Sequence, residues 1–427
     1  MSDLAAESAS SEAVRFCLKL GRLLLANGAD TAEVHTAVAH VASGLGFQAH
    51  VLLTYEAMLV TVDTGNSSQT RVGRHLPPSI VNMTAIEALN RIAAEVAGKS
   101  LDLKSAVERL SAVEQNAPLY PGWLVALMVG LSAASLSRLL GGSWSVFVVV
   151  WLSSTVGTFV RQRLNRKQIN SFAIPFLTVL VSGVIADVGM RFHPGSMQYL
   201  SLLAPGLILV PGVPLITAIG DIISNNLGIA CAKLTFVSFA IFGITLGLFA
   251  AALTTGVAIP VAGPTPLLST AQDAVFSAIT TIGFVFLFNV RFRLAWACVL
   301  CGLSGHTSRT FLMHLGLDIV SSTLIGSLAI GVAARAFANA HRVPPATFAF
   351  PAVLALIPGS FAFRAVLGWV DIMRTSERSP VPLQAETLSL VFTTIMLATV
   401  IAIGLAVPMA IPANIRHAPD AGSADAH

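Results

Sequence analysis

Two stretches of this chain, Leu209-Val210-Pro211-Gly212 and Leu356-Ile357-Pro358-Gly359, repeat one pattern 147 positions apart (212 and 359), each inside an apolar segment. Proline removes a backbone donor and clashes with the preceding turn, and glycine adds conformational freedom. Lipid holds no water to satisfy the backbone groups set free, so a broken helix persists in a membrane only beside protein or a wet cavity. Interrupted segments at corresponding positions of two halves point to a transporter's binding site.

Composition puts the chain in a membrane. Its 427 residues are 55% hydrophobic and only 11% charged, against about 25% charged in a soluble domain, and the mean hydropathy is +0.78. The net charge of +4 is small, and basic residues gather in loops and the N-terminal region, a mark of topology rather than of nucleic-acid binding. Cys17, Cys231, Cys298 and Cys301 form no disulfide framework, and Cys298-x-x-Cys301 reads as two small buried thiols in an apolar helix. Asp3, Glu7 and Glu12 precede any basic residue with no apolar h-region after them, so the start does not read as a signal peptide.

Residues 1–118 carry 12 of the 21 acidic residues and no membrane-length apolar run, and read as a small cytoplasmic α+β domain. Ala13–Asn27 is amphipathic through Phe16, Leu20, Leu23 and Leu24 and stops at Gly28. Asp30-Thr31-Ala32-Glu33 has capping-box form and opens a helix to about Leu45. Strand-like runs follow at Gln48–Leu53, Ala57–Thr64 and Gln69–Leu76, with a Gly65-Asn66 turn between the last two. Pro77-Pro78 ends the sheet, and Ser79–Ala97 and Leu103–Gln115 return to helix.

Ten apolar segments follow, at about 123–140, 144–160, 170–190, 200–219 and 232–253, then 271–290, 293–311, 318–338, 346–369 and 385–408. Most approach the roughly 20 residues that span hydrocarbon. Shifting the first five by 147 lands them on the second five, and an odd number per half forces opposite orientations. The expected fold is an all-α polytopic membrane protein of ten transmembrane helices in a 5+5 inverted repeat. Its parts are 1–118, a first repeat at 119–257, a second at 268–410 and a polar tail at 411–427. With the N-terminus inside, inner loops and tail carry ten basic residues, led by Arg161, Arg163, Arg166 and Lys167, against five in outer loops. The positive-inside rule then puts both termini in the cytoplasm.

The breaks supply the candidate site. Pro211-Gly212-Val213-Pro214 ends one half-helix and starts another, with Pro214 near the first helical position. Pro358-Gly359-Ser360 offers Ser360 as an N-cap for the stretch through Arg364. Two half-helix N-termini near the midplane suit a carboxylate. Thr217 and Arg364 are equivalent under the 147 shift and are expected to shape selectivity. Intramembrane charges are costly and mark function. Asp187 and Asp221 are therefore the expected proton-coupling groups, able to exchange a proton for a substrate ammonium. Arg335 reads as a snorkelling anchor. His306, Arg309 and His314 read as a wet loop rather than a metal site. No Walker loop, Gly-x-Ser-x-Gly elbow or His-Glu-x-x-His occurs, so neither an ATP-driven pump nor an enzyme is expected, and no cofactor.

Gly21-Arg22-Leu23-Leu24-Leu25-Ala26-Asn27-Gly28-Ala29-Asp30-Thr31-Ala32-Glu33-Val34, Thr70-Arg71-Val72 with Ile80-Val81-Asn82, and Val210-Pro211-Gly212-Val213-Pro214-Leu215-Ile216 with Asp221 resemble the threonine/serine exporter family. Ile357-Pro358-Gly359-Ser360 resembles that family's C-terminal module, and the whole resembles its fused form. One position departs, since Gly220 stands where members often carry a charge before the aspartate. The resemblance implies proton-driven export of threonine and serine across a bacterial inner membrane. Some split relatives are associated with dicarboxylates. The expected partners are a small amino acid or carboxylate, protons and the bilayer, with no nucleic acid, and self-association into a homo-oligomer is left open. The readings from other classes are a non-transporting sensor or scaffold working through Asn27-Gly28-Ala29-Asp30, and a passive channel.

Overall fold

The computed structural model describes residues 2–63, 68–74, 81–115, 119–167, 169–170, 172–192, 195–257, 259–261, 266–375 and 380–410. The expected Gly65-Asn66 turn, Pro77-Pro78 and the tail 411–427 lie outside the described residues.

The N-terminal part runs α1 (Ser2–Ala26), α2 (Thr31–Gly44), β1 (Gln48–Leu53), β2 (Ala57–Asp63), β3 (Ser68–Arg74), α3 (Met83–Ala97) and α4 (Leu103–Gln115). The ααβββαα order matches expectation. α1 begins earlier than its apolar stripe, because the Ala/Glu-rich start favours helix by propensity without showing an amphipathic face. α3 begins four residues later than read, where the Asn82 side-chain Oδ1 accepts from the Ala85 N–H and caps it. The three strands pair antiparallel in the order β1-β2-β3. β2 alternates, burying Met58, Val60 and Val62, and α1 packs on it with Phe16, Leu20 and Leu24 fully inside. One face of the sheet is thus closed by helices.

Twelve further helices follow. They are α5 (Gly122–Leu139), α6 (Trp144–Arg166), α7 (Ala173–Phe192), α8 (Tyr199–Leu207), α9 (Gly212–Ile223) and α10 (Leu227–Thr255), then α11 (Thr270–Leu287), α12 (Ala295–His314), α13 (Ile319–His341), α14 (Ala346–Val353), α15 (Gly359–Thr375) and α16 (Val381–Ala410). α6 runs past the expected end at 160 through its basic last turns. Among the described residues seven helices are long and apolar enough to cross a membrane, and the bent pairs α8–α9 and α14–α15 bring the number to nine. The sequence reading counts ten. The difference is α12, whose second half carries Ser304, His306, Ser308, Arg309 and Thr310 and is too polar to be counted by composition.

Small residues let these helices approach, as in other membrane bundles. α5 packs on α11, and the Ser132 hydroxyl donates to the Thr280 carbonyl at 2.7 Å. Gly326 of α13 lies against the Gly305 carbonyl of α12, where a Cβ would come within 2.6 Å.

Asn289, between α11 and α12, joins the two parts. Its backbone is left-handed (φ 53°), a conformation asparagine tolerates better than most residues. Its Nδ2 donates to Asn82 Oδ1 at 2.7 Å, its Oδ1 accepts from the Leu119 N–H at 2.8 Å, and its carbonyl accepts from Thr84 Oγ1 at 2.6 Å. The Glu87 carboxylate meets Arg91 at 3.2 Å, Arg291 at 3.4 Å and Arg293 at 3.8 Å.

A Cβ at Gly283 of α11 would collide with the Met128 carbonyl and the Ser132 hydroxyl of α5. Backbone cannot rotate away as a side chain can, so overpacking of about 1–3 kcal/mol is expected. Gly283→Ala should lower the apparent Tm of the detergent-solubilised protein, read by tryptophan fluorescence, whereas Gly220→Ala, which meets open space, should not.

Candidate functional site at the two helix breaks

The two breaks share one local geometry. Pro211 sits at φ −75°, ψ 70°, an inverse γ-turn, and the Gly212 N–H returns to the Val210 carbonyl at 2.8 Å. The Gly359 N–H returns to the Ile357 carbonyl, also at 2.8 Å. In an unbroken helix that N–H would go to the carbonyl four residues earlier, so the turn releases the carbonyls of Ile208 and Ala355. The helix axes bend by 55° at the first break and 44° at the second.

The breaks also pack on each other, reciprocally. A Cβ on Gly212 would strike the Ile357 and Leu354 side chains, and a Cβ on Gly359 would lie 3.1 Å from Leu207 and 3.1 Å from Val210. Under the shift of 147 (212 to 359), Leu207 corresponds to Leu354 and Val210 to Ile357. Each glycine therefore touches the residues equivalent to those its counterpart touches, the pattern of a two-fold contact.

Beside this crossing lies a cavity of about 60 Å³, lined by Gly359, Ser360, Ala355, His306 and Arg309 against apolar walls from Leu139, Leu207 and Val210. Ser360 opens α15, where the first N–H groups have no carbonyl ahead of them in their own helix. Behind the cavity wall, Asp273 in the first turn of α11 is 3% exposed and meets His306, also 3% exposed. His306 Nδ1 lies 2.9 Å from Asp273 Oδ1 and 2.8 Å from Oδ2, and Thr310 Oγ1 donates to Oδ2 at 2.7 Å. Ala355 lies beside the same imidazole, and both residues line the cavity. Arg309 carries a buried Nε with no hydrogen-bond partner among the described residues.

His306 and Arg309 thus leave the wet loop expected from sequence. They lie in α12 and face protein and the cavity, because Asp273 draws the imidazole inward. Asp273 and Thr310 were missed. The signal was an acid in the first turn of an apolar helix, and a His and a Thr four apart on one face of the next.

Of the expected site residues, Pro211, Gly212, Pro358, Gly359 and Ser360 come together at the crossing. Pro214 and Thr217 turn into their own helix, with Thr217 Oγ1 3.4 Å from the Pro214 carbonyl. Arg364 is buried but reaches away, its Nε donating to the Val261 carbonyl at 2.8 Å and a terminal nitrogen 4.0 Å from Glu386. Asp187 pairs within α7 with Arg191 at 2.9 Å. Asp221, 4% exposed, pairs with Lys233 Nζ at 2.6 Å. Neither carboxylate reaches the cavity.

The Asp221–Lys233 pair instead meets the N-terminal part. Gly28 (φ 92°) stops α1 and Asp30 caps α2, its Oδ1 accepting from the Glu33 N–H at 2.7 Å. Burial pushes the Asp30 carboxyl up, opposed first by that N–H and then by the Lys233 charge. Burial lowers His35, and the Asp221 charge works the other way. Burial first, then the Asp30 charge, push Glu33 up to about 8, against the Asn90 amide, which donates to it at 2.6 Å.

A family model described as "Putative threonine/serine exporter" matches residues 15–255, and one described as "Threonine/Serine exporter, ThrE" matches residues 273–411. The chain belongs to the threonine/serine exporter family. It is also 28% identical over 240 residues to the Escherichia coli (strain K12) protein named "Probable succinate transporter subunit YjjP", a match that covers 55% of this chain and 91% of that one. A Klebsiella aerogenes protein of the same name is 28% identical over 236 residues, covering 55% of this chain and 90% of its own. No solved structure matches. The exporter family is a transport family, so the helix breaks and their cavity belong to a multi-pass membrane transporter.

A carboxyl raised in the fold stabilises it below the group's usual range and loses that contribution as pH climbs through the raised value. For Glu33 that window runs from about 4.5 to about 8. The detergent-solubilised exporter should lose thermal stability between these values, and Glu33→Gln should flatten the profile by raising the high-pH end. An unchanged slope in the variant would count against Glu33 as its source.

Proposed function

We propose that this chain is a secondary active exporter of small amino acids, threonine and serine, that exchanges them for protons by alternating access in the bacterial inner membrane. In this reading α5–α10 and α11–α16 are two five-span repeats of opposite orientation. Each broken pair counts as one span, as does α12, whose polar half faces the cavity rather than lipid. Residues 1–118 form a cytoplasmic domain, 119–257 and 268–410 the two repeats, and both termini lie inside by the excess of inner-loop arginine and lysine.

The observation that carries the reading is the reciprocal contact of the breaks, Gly212 on Leu354 and Ile357, Gly359 on Leu207 and Val210. Two equivalent hinges in contact at a pseudo-two-fold axis let one repeat rock against the other about a fixed site. The Ser132–Thr280 bond supports the same axis, since it joins positions 148 apart on α5 and α11, which span 122–139 and 270–287. Arg309 and the free N–H groups of α15 give that site a carboxylate-binding end. The Asp221–Lys233 pair, with Asp30 and Glu33 over it, lies on the cytoplasmic side of the crossing, where the N-terminal domain covers the inner mouth.

A second reading, export of a dicarboxylate such as succinate, is favoured by the relatives' printed name, and Arg309 fits any carboxylate. Those relatives correspond to little more than half of this chain and are named as subunits; here the second half is supplied by the same polypeptide.

Counterflow in proteoliposomes against labelled threonine, serine, alanine and succinate, with and without a pH gradient, decides between them. Threonine and serine exchange, accelerated by an acid exterior, is the expected outcome; exchange of succinate alone would establish the second reading. Arg309→Gln should weaken apparent substrate affinity by about 10- to 100-fold, the worth of one charge-assisted hydrogen bond. Truncation of residues 1–115 should alter flux without abolishing it, whereas a scaffold would lose all function.

A further inference from the structure

Both breaks free a carbonyl, Ile208 at the first and Ala355 at the second, and the second lies beside a histidine. Because the Gly359 N–H turns back to Ile357, the Ala355 carbonyl has lost its helical donor. His306 of α12 lies beside that carbonyl, and both residues line the cavity. Its Nδ1 is already taken by both oxygens of Asp273 at 2.8 and 2.9 Å, which leaves Nε2 for Ala355. Thr310 donates to Asp273 as well, so the carboxylate is an acceptor on every side. An imidazole that donates from both nitrogens carries the extra proton. With protons on both ring nitrogens the set reads as a proton-loaded state: Asp273 carboxylate, Nδ1–H, Nε2–H, Ala355 carbonyl.

Loss of one proton changes the gap. With Nδ1–H retained by Asp273, the Nε2 lone pair faces the Ala355 oxygen, two acceptors with nothing between them. Both groups line the cavity, as does Arg309. The charged groups acting on His306 are Asp273 from α11 and Arg309 from its own helix; α13, α14 and α15 contribute none among the described residues, only the Ala355 carbonyl.

We propose that a proton and the ammonium group of a zwitterionic α-amino acid are alternative occupants of the gap between His306 Nε2 and the Ala355 carbonyl, with the substrate carboxylate on Arg309. The ammonium donates one N–H to Nε2 and another to the carbonyl, replacing the single N–H of the imidazolium. One proton enters as one amino acid leaves, and because the zwitterion is neutral the cycle moves one positive charge inward. Asp273 is a positioning residue, which holds the ring in the tautomer whose lone pair faces the gap. This inference rests on the transport reading and selects its amino-acid form, because a dicarboxylate brings no donor to the gap.

The test is the pH dependence of the apparent KM for counterflow by the unmodified protein, set for threonine beside 2,3-dihydroxybutyrate (its hydroxy-acid analogue without the ammonium) and succinate. The proposal expects the threonine KM to rise toward about tenfold per pH unit on acidification, as the binding-competent fraction falls, with the KM of the analogue and of succinate not rising in parallel. It expects His306→Gln, which cannot take up a proton, to abolish drive by a pH gradient and to remove the pH dependence of whatever threonine KM remains. A threonine KM flat with pH in the unmodified protein, or a rise shared by the analogue, overturns the proposal, whatever His306→Gln does. So does a His306→Gln protein that is still driven by the pH gradient. Absence of counterflow for every solute overturns the transport reading, and this one with it.

Discussion

A membrane offers backbone groups no water, and everything at the centre of this transporter follows from where two helices give up their hydrogen bonds. At Pro211 and Pro358 the ladder stops, the next N–H turns back on a tight γ-turn, and carbonyls four residues upstream lose their donors. Such groups are tolerated only when other parts of the protein enclose or engage them. The two breaks enclose each other, glycine against the other break's leucine and branched residue, and at the second break a histidine lines the same cavity as the freed carbonyl. The crossing is therefore both a close apolar contact between the two breaks and a place where their residues line a cavity.

The symmetry of the framework makes the asymmetry of its chemistry legible. Equivalent glycines make equivalent contacts, yet the cavity between the breaks is polar on one side, where His306, held by Asp273, and Arg309 line it. At the other end of α9 the charges differ too, with Asp221 held by Lys233 and overlaid by Asp30 and Glu33 of the N-terminal part. The two matched breaks thus stand between two unlike surroundings, one at the cavity and one under the N-terminal part. Asn289 binds those two regions mechanically, since its side chain and backbone tie the α11–α12 turn to α3 and to the chain leading into α5.

Local rules made a good deal of this readable in one dimension. The Pro-Gly breaks, the Gly28 stop, the Asp30 cap and the period of two along β2 each depend on residues within a few positions of one another, so sequence order is enough. The paired carboxylates show the limit. Asp187 and Asp221 stand out because a charge in an apolar run is conspicuous, but conspicuousness says nothing about partners. Arg191 one turn away and Lys233 across a helix corner take them up, while the acid that reaches a histidine, Asp273, looked like an ordinary first-turn residue favoured by the helix dipole.

By itself, then, the sequence determined that the chain is a helical membrane protein with an α+β start and two matched helix breaks, because hydropathy, periodicity and proline chemistry act locally. Only the tertiary structure decided that the breaks touch, that Asp273 and His306 meet across 33 positions, and that Arg364 and Thr217 turn away from the cavity. Those outcomes depend on how α11, α12 and the second break pack, and packing is set by small residues and shape complementarity summed over many helices at once. No window of sequence contains that sum.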